Sequence, residues 1–185
     1  KKMMRLSQTI DGNSPTAKSL LATENSHPIN WDVTPDRKTL YAVAMSGNQL
    51  YRYDLTTSEE ELTGKSLGKL LTNAAKTDCR AMCVGPTGTV WMAVLEKGKH
   101  LHLVSYRKGD DVPRDHGELY VSNPDYTPFI DKAGKKLPWH HGMRTTSDGK
   151  LVPLHHMGVC ETRDGFVYLT VIYPFTVLKI APKDL

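Results

Sequence analysis

Residues 159–180 read VCETRDGFVYLTVIYPFTVLKI, and the fold turns on whether this stretch is a buried helix, a membrane segment or adjoining strands. Its apolar part, Phe166 to Ile180, is interrupted by Pro174 and Lys179 and falls short of the ~20 apolar residues that a spanning helix needs. Asp164 and Gly165 form a turn signal, after which Val167, Leu169 and Val171 alternate with Tyr168 and Thr170. That is the period-2 pattern of a strand, so the stretch is read as a hairpin with a further strand after it.

Two upstream stretches have the same form: WDVTPDRKTLYAVAMSGNQLYRYDL from Trp31 and AMCVGPTGTVWMAVLEKGKHLHLVSY from Ala81. A shift of 50 residues places Leu40-Tyr41 on Val90-Trp91 with no gap, and a further shift of 77 places Cys83 on Cys160 and Val90-Trp91-Met92 on Val167-Tyr168-Leu169. Each copy has a short strand, a turn (TPDRKT, GPTGTV or TRDGFV) and a second strand with apolar residues on both faces, as in a sheet covered by two layers. An aromatic recurs at one position, Tyr41, Trp91 and Tyr168, where it is expected to pack on the neighbouring copy. A third strand follows in QLYRYDL, HLHLVSY and TVLKIAP, and SLLAT and GKLLTN are read as opening strands.

Four short strands about every 50 residues describe the blade of a β-propeller. Through the turn and strand Asp164-Gly165-Phe166-Val167-Tyr168 and its upstream counterparts, the chain resembles the gluconolactonase-like and virginiamycin-lyase-like propellers over residues 17–107 and 155–182. The resemblance implies an all-β fold and no particular reaction, since this hairpin occurs on propellers of unrelated activity. It divides the chain into a blade at 17–57, a blade at 58–107, an insertion at 108–154 holding a possible first strand, and the remainder of the last blade at 155–185. MMRLSQTI, within residues 1–16, is the outer strand of a preceding blade. Rings close with four to eight blades. The expected protein is therefore a partial propeller of about three four-stranded blades, part of a six- to eight-bladed ring completed by the rest of a longer chain or by a second propeller half.

With 39% hydrophobic and 24% charged residues in a chain of 185, the composition is that of one globular domain. A net charge of +4 with scattered Lys and Arg gives no reason to expect nucleic acid as a partner. KKMMRLSQTIDG has a positive start without an apolar core after it, so no signal peptide or transmembrane segment is expected, and the chain is expected to be soluble. Cys79, Cys83 and Cys160 are an odd set without disulfide-scaffold spacing and are read as small buried hydrophobes.

Reactive side chains gather in residues 108–154 and just beyond, where five of the eight histidines lie between Pro113 and His156; a long insertion in a regular repeat is a natural functional loop. His140, His141, His155 and His156 could ligate a divalent transition metal, or else cap strands and satisfy backbone groups. His155 and His156 precede the third hairpin as Asp78 and Cys79 precede the second and His27 precedes the first, positions that converge on the axis of a propeller. His155, His156 and Arg144 are the candidate catalytic residues, and Arg80, Asp78, Trp139 and His27 the candidate ligand-binding ones, with arginine holding a carboxylate, histidine moving a proton and tryptophan stacking on a sugar. In the competing reading the arginines sit in surface ion pairs and the tryptophan anchors the insertion.

Two functions follow. One is a ligand-binding or enzymatic propeller acting on a polar or acidic carbohydrate-like molecule, and the other is a non-catalytic propeller serving as a protein-interaction scaffold.

Overall fold

The computed structural model describes residues 5–7, 16–18, 29–57, 64–122, 130–136, 139–140, 143–153, 155–172 and 176–181. Among them the chain is an all-β domain of discrete antiparallel sheets that pack on one another. The first sheet is a meander of β3 (Ile29–Val33), β4 (Thr39–Ala44), β5 (Gln49–Asp54) and β6 (Lys65–Lys69). The second is a meander of β7 (Thr77–Val84), β8 (Val90–Glu96), β9 (Leu101–Tyr106) and β10 (Arg114–Glu118), and the third is formed by β14 (His155–Glu161), β15 (Val167–Ile172) and β16 (Thr176–Ile180). Two smaller sheets are β1 (Arg5–Ser7) with β2 (Thr16–Lys18), and β11 (Trp139–His140), β12 (Met143–Thr145) and β13 (Leu151–Pro153). No sheet closes into a ring among the described residues.

The three expected hairpins are β3–β4, β7–β8 and β14–β15, and their opening strands lie side by side, β3 against β7 and β7 against β14. Two strand assignments need correction. GKLLTN does not open the second copy, because β6 pairs with β5 and ends the first sheet. Likewise PRDHGELY is no free loop of an insertion, because β10 pairs with β9 as the fourth strand of the second sheet. Neither strand shows apolar alternation: β6 buries Leu67 alone, with Leu70 and Leu71 buried just past its end, and β10 has no fully buried residue. SLLAT lies outside the described residues.

Alternation along the second strands explains the packing. Tyr41 and Val43 meet Val90, Met92 and Val94 in one apolar cluster between the first and second sheets. Trp91 and Ala93, on the other face of β8, meet Val167, Leu169 and Val171 between the second and third. Tyr41 and Trp91 thus each pack toward the following sheet, as expected. Gly85 makes this approach close: a Cβ there would stand 2.8 Å from the Cβ of Glu161 on the third sheet.

Three of the turns share one chemistry, and the β7–β8 turn, where Thr87 bonds Thr89, does not. Thr34, Thr146 and Thr162 each donate a hydroxyl hydrogen bond to the carboxylate two residues on, Asp36, Asp148 and Asp164. The next residue lies in the left-handed region, with φ 84° at Gly149, 81° at Gly165 and 58° at Arg37. Arg37 therefore occupies a conformation that glycine adopts at its counterparts, at a steric cost of about 1–2 kcal/mol to a residue with a Cβ, partly offset by the greater chain entropy a glycine loses on folding.

Two stability measurements follow. Arg37→Gly is expected to raise unfolding stability by about 0.5–1 kcal/mol and Gly165→Ala to lower it by at least as much, read from urea midpoints. Trp91→Ala, which empties the space between the second and third sheets, is expected to cost about 3 kcal/mol; a loss below ~1 kcal/mol would contradict the packing.

Candidate functional site

The first turn of β7 and the start of β14 carry the most concentrated group of predicted residues. Both strands are bulged at equivalent places: the register slips between Cys79 and Ala81, leaving Arg80 extra, and between His156 and Gly158, leaving Met157 extra. A bulge residue has no ladder partner for its backbone. The Arg80 N–H is satisfied across the sheet boundary instead, donating to Nε2 of His156 at 3.0 Å.

His156 is 1% exposed. Since Nε2 accepts, the neutral ring carries its proton on Nδ1, and the ring also engages the Ala93 backbone. Burial pushes its pKa down to about 4 against the weaker opposing pull of Asp78. The Arg80 guanidinium turns to Asp78, with Nε 3.0 and 2.9 Å from the two carboxylate oxygens and Nη2 2.8 Å from Oδ2. Asp78, Arg80 and His156 are thus brought together, with His155 beside them, exposed and paired on the backbone with Ile172.

The other predicted residues are placed elsewhere. Arg144 is exposed on β12, between Trp139 of β11 and Val152 of β13, and His140 pairs on the backbone with Met143. His27 and His141 lie outside the described residues. Of the four histidines read as metal ligands, His156 spends Nε2 on a backbone donor, and among the described residues no group of three or more His, Cys, Asp or Glu is placed to hold a metal ion. Arg80 is occupied by Asp78, so it offers no open fork to a ligand carboxylate. The group links two sheets, and its polar atoms face one another.

Further histidines escaped the sequence reading. Nδ1 of His102 lies 3.0 Å from Asp115, and its Nε2 lies 3.9 Å from Glu96. Nδ1 of His100 lies 3.0 Å from Glu118, which also accepts from the Tyr120 hydroxyl at 2.5 Å. His116 meets the Ser105 hydroxyl at 2.8 Å and stacks on Trp91 with centroids 5.8 Å apart. The signal was the HLH spacing of residues 100–102, which sets two histidines on one face of a strand.

At the opposite end of the sheets, the hairpin turns enclose an open groove of 820 Å³ lined by Thr34, Thr87, Trp91, Arg107, Lys108 and Glu161 among others. Among the described residues no helix is long and apolar enough to cross a membrane. The chain matches no protein-family model, and the search of curated proteins finds no relative.

The buried imidazole gives a pH dependence with a definite sign. In the unfolded chain it titrates near ~6.5, and in the fold only at about 4. The stability contributed by neutral His156 is whole above the unfolded value and is lost as the pH falls from about 6.5 to about 4, by an amount on the order of 3 kcal/mol. His156→Asn, which keeps an acceptor and does not titrate, is expected to flatten that part of the acid unfolding profile. Equal slopes in the two chains would show that His156 protonates without penalty.

Proposed function

We propose that the chain is a segment of a β-propeller and works as a non-catalytic interaction scaffold. The observation that carries this reading is the state of the two outer faces of the three-sheet stack. Tyr41 and Trp91 each pack toward a following sheet, whereas Tyr168, at the same place on the third sheet, faces away from the stack and is only half-buried. Around it Cys160 is exposed and Val177 is 63% exposed. On the opposite face of the stack Trp31, paired with Ala42, is 62% exposed. Exposed apolar side chains on the outer face of the third sheet, and Trp31 on that of the first beside the buried Leu40, Ala42 and Tyr53, mark surfaces that take a partner, and a further sheet of the same meander type fits them, because two such junctions already exist in the molecule.

The enzymatic reading finds less support. Its central histidine is sealed between sheets as an acceptor for a backbone amide, and its arginine is closed by Asp78. A general acid or base must reach the proton it moves, and His156 reaches only protein groups.

The scaffold reading is tested by sedimentation of the 185-residue chain. Concentration-dependent association is expected at micromolar concentration. Trp31→Glu with Val177→Glu, both at exposed positions, is expected to shift the chain toward monomer with its circular dichroism unchanged. A well-folded wild-type monomer across that range would overturn the proposal.

A further inference from the structure

We infer that the open edge of β16 takes an extended polar segment of a partner protein as the fourth strand of the third sheet. The inference rests on the scaffold reading, since it names a ligand for that platform, but it concerns a strand edge rather than an outer face. The first two sheets have four strands and the third has three. In the first two, the third strand is covered by β6 or β10. In the last, that strand is β16, and among the described residues no group bonds to its outer side.

The chemistry of β16 is that of an inner strand left uncovered. The sheet-ending strands β6 and β10, KSLGK and RDHGE, are charged at both ends and slip in register, with a glycine in fourth place in the left-handed region, φ 105° at Gly68 and 93° at Gly117. Charge and bulges are devices that keep an edge from pairing with another chain. β16, TVLKI, pairs all five residues with β15 without a slip, and its one charge, Lys179, lies over the Phe166 ring. Burial agrees. Leu50, Leu103 and Val177 sit opposite the equivalent residues Val43, Ala93 and Thr170, yet the first two are fully buried and Val177 is exposed.

The shape of the site and the rest of the molecule fix the occupant. A groove of 330 Å³ is lined by all five residues of β16, hence by side chains of both its faces, so it follows the edge of the strand; Leu119, Tyr120 and Met143 stand on its other side. One extended segment fits there and gains ladder hydrogen bonds from β16, whereas the β16 of a second copy, carrying its own sheet, meets the opposite wall. Among the described residues every other strand is already paired, so the segment comes from another chain. Its chemistry follows β6 and β10, which fill this place in their sheets: a charged residue, a polar one, an apolar or ring side chain, glycine, and a second charge. The third residue makes the packing contact, since Leu67 joins Leu50 and Tyr41 in one cluster and His116 stacks on Trp91. In the third sheet it covers Val177 and Tyr168.

The probe is a fluorescein-labelled peptide copying residues 64–70, Gly-Lys-Ser-Leu-Gly-Lys-Leu, titrated with the full 185-residue chain and followed by fluorescence anisotropy. Saturable binding is expected, weakened about tenfold by Val177→Glu in the protein or by Leu67→Lys within the peptide, as for loss of one buried aliphatic contact. N-methylation of one alternate set of peptide amides is expected to abolish binding and of the other set to spare it, because an added strand bonds through one side only. As a readout that needs no variant, hydrogen exchange in Thr176–Ile180 is expected to slow on addition of the peptide while β6 and β10 stay as they were. No binding, as when the chain already fills its own edge, equal effects of the two methylated sets, or slowing at β6 or β10 in place of β16 would overturn the inference. So would protection of β16 that rises with protein concentration in the absence of peptide, the mark of a second copy. Sedimentation of the same samples keeps the two readings apart: peptide binding by a chain that stays monomeric upholds this inference and sinks self-association, and association without peptide binding does the reverse.

Discussion

The molecule depends on how its opening strands are joined sideways. An antiparallel meander satisfies its own backbone along the ladder, but its first strand presents an unpaired edge. Here each such edge is tied to the next sheet by polar groups. Asp32 accepts the Val84 N–H at 2.7 Å, the Asn30 amide donates to the Cys79 carbonyl, the Cys79 N–H donates to the Met45 carbonyl at 2.7 Å, and the Arg80 N–H donates to His156. These bonds carry one rule through two junctions: a side chain or carbonyl of one sheet completes the backbone of its neighbour's inner strand.

Apolar clusters between the sheets supply most of the driving force, but area is non-directional and would tolerate slippage. The buried polar contacts are directional, and leaving one of their donors unmet costs about 1–3 kcal/mol, so they fix how each sheet sits against the next. The same demand explains the chemistry of His156. A protonated ring could not accept from Arg80, so the position holds a histidine that remains neutral. What looked from the sequence like an acid–base group is used for its lone pair.

The repeat, its hairpins and the inward direction of Tyr41 and Trp91 were legible because turn chemistry and alternation agree there. The outer strands Lys65–Lys69 and Arg114–Glu118 were not, since neither writes an apolar alternation. A subtler loss lies in the gapless shift of 50 residues. The first turn, between Val33 and Leu40, is one residue longer than the second, between Val84 and Val90, and the Arg80 bulge makes up the difference. The alignment looks unbroken while the opening strands are offset by one, so Trp31, set opposite Ala81 by the shift, corresponds in the sheet to Met82. For the candidate site, proximity of Asp78, Arg80 and His156 was legible from repeat position, but not the direction in which each points, which the bulge sets.

The lateral bonds can be tested one amide at a time. Arg80 has no ladder partner in its own sheet, so any protection of its N–H from solvent exchange must come from His156. Hydrogen exchange at neutral pH is expected to find the Arg80 amide protected as strongly as the strand interior, and His156→Ala is expected to release it while Val84, held by Asp32, stays slow. An Arg80 amide that exchanges in the wild-type chain as fast as an exposed loop would contradict the account.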